Sequence, residues 1–450
     1  MPASASPVRR SSGGAAQQQG GAMAGLNELT ATEAARRIAA GETSCEAVVS
    51  ECIIRIEARE PDVRAWEYLD PEYALNQARA IDAGPNRGPL HGVPIGIKDI
   101  FDTADMPTTF GSPIYAGNRP AADAATVAML RAAGALILGK TVTTEFAASN
   151  PSKTRNPHNL EHTPAGSSSG SAAAVADMMV PAAFGSQTAG SVIRPAAFCG
   201  TVGYKASFGV INRRGLGSQA ESLDTIGCMT RCVDDVALLK AVVCGRPAPP
   251  PGTMPDRPPR IGLCRTHLWT ELDPSAVEAT EDAAARLAEA GASVSEVALP
   301  AHFAEITAVQ WTVLAVEAAR AYTHEWHHHR DQLSEKMRAV FQLGHDAADE
   351  DYVAALAFGE RCRAELAPVF DDVDMLLTPS ANGEAPKGLD WTGDVRFQTL
   401  WSFLHVPAIT LPSHTGPNGL PVGNLLVGRY HGDEALFDNA RWAERVLMGG

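Results

Sequence analysis

Apolar positions at helical spacing open the patterned part of this chain. Val48, Val49, Cys52, Ile53 and Ile56 share one face of a 3.6-residue period, with polar residues between them. Thr43 with Glu46 reads as the capping box that starts this helix. Thr30 with Glu33 reads as the box of a shorter helix before it, and Pro61 as the stop. Residues 63–69 (VRAWEYL) favour a strand, and a short helix follows to Ile81. VPIGIKDI at 93–100 is an apolar run holding one lysine, the pattern of a buried strand. Residues 124–140 then read as helix, stop at Gly134, and strand, a unit typical of α/β proteins.

Farther along, helical spacing returns at 274–291, with a strand after it (SVSEVAL). Residues 303–370 are largely helical. DMLLTPS at 374–380, VPAITLP at 406–412 and GNLLVGR at 423–429 read as strands, and a helix closes the chain. No repeat with a period of about 20–50 residues is present. The sum predicts a mixed α/β fold. Residues 1–24 are small, polar and of low complexity, which predicts a disordered leader. Residues 25–450 then form one domain: a helical part at 25–84, a core at 85–245 and a third part at 246–450. The Pro-rich stretch 247–259 is a surface linker.

Composition narrows the classes. The 450 residues carry 37 Lys plus Arg against 52 Asp plus Glu, a net charge of −15. Without a basic cluster, a nucleic-acid partner is not expected. The long weakly charged stretch at 162–193 is Gly, Ser and Ala rather than apolar, so no membrane span is expected either. The eight cysteines are scattered without a CxxC pair, which predicts reduced, mostly buried thiols and a cytoplasmic protein.

Candidate chemistry starts at Lys98. A lysine inside a Val/Ile/Pro/Gly run is desolvated, which favours the neutral amine, a usable base; a place at a strand end, paired with adjacent Asp99 or another acid, is the plainer reading. Gly166-Ser167-Ser168-Ser169-Gly170 matches the G-x-S-x-G elbow centred on Ser168, and equally a flexible Gly/Ser turn. In GSQTAGSVIRPAAFCG at 185–200, the turn Thr188-Ala189-Gly190-Ser191 suits several amide N–H groups aimed at one oxygen, with Ser191 presenting a hydroxyl. No serine lies three residues before a lysine, so an S-x-x-K site is absent. His405 and His414 are late enough for a Ser–His–Asp order. His324 to His328 completes H-E-x-x-H, but its polar flanks favour a solvated helix end over a zinc site.

Taken in order, GIKD at 96–99, TPAGSSSGSAAAV at 163–175, GSQTAGSVIRPAAFCG at 185–200 and ESLDTIG at 221–227 resemble the amidase signature hydrolases. The resemblance runs from about residue 26 to the end, and its wording is most similar to the malonamidase-like branch. It implies an α/β/α sandwich whose central twisted mixed sheet is flanked by helices. It also implies a Ser-cisSer-Lys triad: Ser191 as nucleophile, Ser167 as the bridging serine on a cis peptide, Lys98 as base. The oxyanion hole is then the backbone amides of Thr188, Ala189, Gly190 and Ser191. Two departures stand out. Ala165-Gly166 replaces the usual Gly-Gly, and Gln187 and Ala189 stand where many members have Asp and Gly.

The implied activity is hydrolysis of small or aryl amides through an acyl-enzyme, with no cofactor and no metal. Carbamate (urethane) or ester hydrolysis by the same triad is an alternative. So is the glutamine-hydrolysing subunit of a tRNA-dependent amidotransferase, or a non-catalytic binding module. Arg194 is expected either to bind a substrate carboxylate, as its counterpart in malonamidase does, or to be structural, and Gln187 is a second candidate for substrate binding. The pocket walls are expected from 303–345 and 378–402, with Phe303, Trp311, Trp326, Phe341, Trp391, Phe397 and Trp401 as candidate lining. The expected partner is a small amide or carbamate, and a homodimer is left open.

Overall fold

The structure, a computed structural model, describes residues 25–148 and 150–449. The low-complexity stretch 1–24 lies outside the described residues. The chain builds one eleven-stranded sheet from β1 (Trp66–Leu69), β2 (Pro94–Lys98), β3 (Leu136–Thr141), β4 (Ala182–Gln187), β5 (Val202–Lys205), β6 (Thr225–Thr230), β7 (Arg260–Cys264), β8 (Ser293–Val297), β9 (Met375–Pro379), β10 (Ala408–Thr415) and β11 (Pro421–Val427), in the order β1-β3-β2-β4-β6-β5-β10-β11-β9-β7-β8. β3, β2 and β4 run parallel, as do β9, β7 and β8, and antiparallel pairs join the two sets. This is the mixed sheet flanked by helices that the resemblance implied, within the mixed α/β fold that the pattern predicted. Strands from both sides of residue 245 share it through the β5–β10 pairing.

Period-two alternation explains how the sheet is covered. Ile95, Ile97, Phe184, Ile226, Ile409 and Leu426 enter one apolar layer with helices Ala125–Ala132, Val233–Val243 and Asp433–Glu444. Their neighbours Ala183 and Met229 face the opposite layer, under helices Cys45–Val63 and Ser169–Ala176. Leu376, Leu425 and Val427 do the same under the helices at Ile306–Ala321, Glu335–Asp346 and Arg396–Phe403. Strands covered on both faces must be apolar throughout, which is why they read as continuous runs.

Two helix boundaries differ from the sequence reading. The cap of helix Cys45–Val63 is Ser44, whose side chain accepts from Ala47 N, rather than Thr43. Asp82 takes the N–H groups of Cys45 and Glu46, and the Glu46 carboxylate pairs with Arg79 instead of reaching back to a cap. Pro61 lies inside the helix, which continues to Val63. Its end is held by Glu60, whose carboxylate accepts from Ala65 N and Trp66 N. The first capping helix begins where expected, with Thr30 Oγ1 accepting from Glu33 N.

Six of the eight cysteines are buried and none forms a disulfide. Among the described residues, no helix is long and apolar enough to cross a membrane.

Candidate active site

Lys98 ends β2, completely buried, where the strand gives way to a turn. Its Nζ is 2.6 Å from Ser167 Oγ and 3.1 Å from Ser186 Oγ. Among the described residues, no carboxylate reaches contact distance of it. Burial therefore brings its pKa down to about 7, although the charge of Asp224 opposes the shift. Asp99 has a different partner. It pairs with the other buried lysine of this region, Lys140, at 3.1 Å. The plainer reading, Lys98 paired with Asp99, is thus replaced: the Asp99 carboxylate is taken by Lys140 and by Thr109, whose N–H and hydroxyl donate to it.

The three serines of the Gly/Ser loop are divided by geometry. The Gly166–Ser167 peptide bond is cis, and Ser167 presents its hydroxyl to Lys98. Ser168 is completely buried and rests against β4, its Oγ donating to Ser186 O at 3.4 Å. Ser169 shares a hydrogen bond of 2.7 Å with Ser152 and opens helix Ser169–Ala176. Gly170 admits the neighbouring backbone: a Cβ there would lie 2.2 Å from Ala65 O. The elbow reading centred on Ser168 fails because that hydroxyl faces the sheet. Ala165, standing where Gly is usual, has φ of 65°, a region that favours glycine.

The second loop leaves β4 after Gln187. Gln187 is fully buried and spent on the loop itself: Oε1 accepts from Val192 N (2.8 Å) and Ile193 N (2.9 Å), and Nε2 donates to Ser402 Oγ (3.0 Å). Ser402 in turn donates to Ala189 O at 2.5 Å. The candidate role of Gln187 in substrate binding is corrected accordingly, since it braces the turn from beneath. Among the described residues, the N–H groups of Ala189, Gly190 and Ser191 donate to no protein acceptor. Thr188 is fixed from the side, its Oγ1 donating to Asp224 at 2.5 Å. The buried Asp224 carboxylate also accepts from Ser218 Oγ and from the N–H groups of Gln219 and Ala220.

Ser167, Thr188, Ala189, Ser191 and Arg194 meet on the wall of one cavity of about 280 Å³. The helices and loop farther along the chain add Trp311, Leu314, Lys336, Trp391, Thr392, Gly393 and Val395, so both expected wall segments contribute. Of the seven candidate aromatics, Trp311 and Trp391 line this cavity, and both are exposed. Phe303, Phe341, Phe397 and Trp401 are core residues, and Trp326 packs against Phe341 and His345 under the Arg330 guanidinium. Ala189 turns its methyl-bearing residue to the wall, where glycine would leave more room.

Arg194 is 4% exposed and ties two loops together, donating to Gly166 O (2.9 Å), Gly393 O (3.2 Å) and Thr392 Oγ1 (3.4 Å). Its Nε is buried without a partner, and burial lowers its pKa to about 10. The histidine alternatives are placed elsewhere. His405 Nε2 bonds Ser222 O, and burial pushes its pKa down to about 3; His414 bonds Asp282. The H-E-x-x-H stretch is split: His324 and His328 lie on the exposed side with ring centroids 4.8 Å apart, while buried Glu325 accepts from Tyr115 OH. Glu325, the general base of such a motif, is thus turned away from the two histidines and held by Tyr115.

Three residues that shape the site were not singled out from sequence. Ser186 and Asp224 sit inside the quoted motifs GSQTAGS and ESLDTIG, where a polar residue ending or entering a buried strand was the available signal. Ser402 lies in a helix with no such mark.

The chain is similar to known proteins over most of its length. The family model described as Amidase matches residues 47–437. A curated relative, the glutamyl-tRNA(Gln) amidotransferase subunit of Chloroflexus aggregans, is 34% identical over 90% of this chain and 94% of its own. A solved amidase superposes with a TM-score of 0.85 at 32% identity, covering 93% of this chain and all of that one (100%). The native peptide amidase from Stenotrophomonas maltophilia superposes with a TM-score of 0.78 at 29% identity, over 94% of this chain and 97% of its own.

Proposed function

The chain belongs to the Amidase family, whose members act on C–N bonds, and we propose that it hydrolyses a small-molecule amide through an acyl-enzyme on Ser191. The observation that carries this is a buried lysine with no carboxylate partner among the described residues, 2.6 Å from a serine that lines the same cavity as Ser191.

In this reading neutral Lys98 accepts the Ser167 hydroxyl proton while Ser167 accepts that of Ser191. Ser191 Oγ bonds to the carbonyl carbon, and the carbonyl π electrons move to oxygen. The free N–H groups of Ala189, Gly190 and Ser191, with Thr188 before them, face that oxygen. One such donor is worth about 10²–10³ in rate. Collapse breaks the C–N bond, and Ser167 returns a proton to the leaving nitrogen. Water then repeats the sequence on the ester, releasing the acid and restoring Ser191. Asp224, Gln187 and Ser402 act as positioning residues, since each holds the turn without reaching its open side. A carbamate presents the same carbonyl chemistry and is tested in the same way.

A second reading, the glutamine-hydrolysing component of an amidotransferase, is favoured by the names of the curated relatives. A tRNA-linked assembly would then form through other subunits, so the acidic composition of this chain does not by itself exclude a nucleic-acid partner. The charges of the cavity weigh against glutamine itself. Among the described residues its wall holds Arg194 and Lys336 but no Asp or Glu, so an α-ammonium group would find no counterion there.

The experiment is hydrolysis by the purified chain of a panel of aliphatic amides, anilides, carbamates, esters and glutamine. Turnover of an amide other than glutamine is expected. Turnover of glutamine alone would establish the second reading, and no turnover of any would overturn both.

A further inference from the structure

We propose that Lys336 is a specificity-determining residue that recognises an anionic group, a carboxylate in its simplest form, at the end of the substrate remote from the scissile bond. The inference rests on Ser191 as the reacting centre and names the substrate class for that site.

Three observations lead there. First, a chain of net charge −15 places two cations and, among the described residues, no acid on the wall of this cavity. A cleft lined by one sign of charge focuses potential and selects ligands of the opposite sign. Second, the two cations differ in what is left for a ligand. The Nη groups of Arg194 already hold Gly166, Thr392 and Gly393, which makes it the strut between the two loops. Lys336 stands exposed in the first turn of helix Glu335–Asp346, where its Nζ donates to Asp390 O at 3.4 Å. Among the described residues it forms no ion pair, whereas the exposed Lys153 and Lys387 pair with Glu67 and Glu161. Third, that contact joins the helix to the loop bearing Trp391. Lys336 therefore stands at the rim with Trp391, which is 57% exposed, and with Trp311, which is 38% exposed. Two indoles beside a free ammonium suit a ligand with a flat apolar middle and an anionic end.

The test uses the full chain carrying Ser191→Ala, so that binding is read without turnover. Calorimetry compares 4-acetamidobenzoate with its neutral methyl ester, and repeats the pair with one and two methylenes between ring and carboxyl group to allow for reach. In parallel, the unmodified chain is assayed for hydrolysis of the same compounds. The carboxylate is expected to bind about fivefold more tightly than the ester, the upper range of an exposed ion pair. Added salt should narrow that ratio. It should fall to near one in Lys336→Met, invert in Lys336→Glu and persist in Lys336→Arg. Equal affinities across the series, no binding by either compound, or a ratio unchanged in Lys336→Met would overturn the proposal. Hydrolysis without charge preference would leave the reaction standing and this inference not. Charge-dependent binding without hydrolysis of either compound would do the reverse.

Discussion

Lys98 and Ser167, 69 residues apart in sequence, meet at 2.6 Å between Nζ and Oγ, with the lysine wholly inside the protein. The contact exists because β2 ends at the lysine and the Gly/Ser loop passes over that end before its helix begins.

Burial without a contacting carboxylate among the described residues sets the protonation of Lys98, and as the proposed base it must be neutral to work. Its pKa of about 7 predicts that kcat/KM is lost as pH falls through 7 and levels off above it. Lys98→Arg, charged at every accessible pH, should be inactive across the whole profile. Stability follows with a definite sign. The folded pKa lies below the unfolded value of 10.5, so the unfolded chain binds more protons between pH 7 and 10.5 and stability rises with pH there. Lys98→Met removes this contribution. Its melting temperature should exceed the parent's most below pH 7, with the margin shrinking toward pH 10.

Asp224 holds Thr188 and is proposed to act through it. Its carboxylate gathers one hydroxyl of the nucleophile turn and three donors of the segment 218–220. Asp224→Asn should lower kcat by about 10²-fold through misplaced oxyanion donors while changing KM far less. The unpaired buried donors should cost about 1–3 kcal/mol in urea unfolding. Thr188→Ser, which keeps the hydroxyl, should retain most activity. Unchanged kcat in Asp224→Asn would remove it from the positioning set.

Much of this was legible in the sequence, for an identifiable reason. Strands covered on both faces read as apolar runs, so β2, β9, β10 and β11 were visible, and a lysine inside such a run stood out. The ordered motifs carried the two loops. What escaped depends on which way a residue faces. Gln187 and Ser168 belong to the right motifs, but their side chains turn toward the protein and become struts. The seven candidate aromatics are alike in sequence; tertiary packing alone sends Trp401 to the core and Trp391 to the rim. Ser44 caps the helix in place of Thr43, and Asp82, 37 residues away from Cys45, takes the next N–H groups, a long-range contact that local pattern does not carry.

The two tryptophans provide a direct check on that division. Trp401 is fully buried and Trp391 is 57% exposed on the cavity wall. Trp401→Ala should cost about 3–5 kcal/mol of stability. Trp391→Ala should stay within about 0.5 kcal/mol of the parent while KM for an accepted aryl amide rises severalfold. A large loss of stability in Trp391→Ala, measured by the same denaturation curve, would place it in the core instead.

The central claim is that Ser191 is the nucleophile, activated by Lys98 through Ser167. The most direct measurement is covalent labelling with a fluorophosphonate at pH 8, with the modified peptide mapped by mass spectrometry. The account predicts one label, on Ser191, absent in Ser191→Ala and slowed by at least about 10²-fold in Lys98→Ala and Ser167→Ala. Label on Ser168, or undiminished labelling of Ser191 in Lys98→Ala, would contradict it.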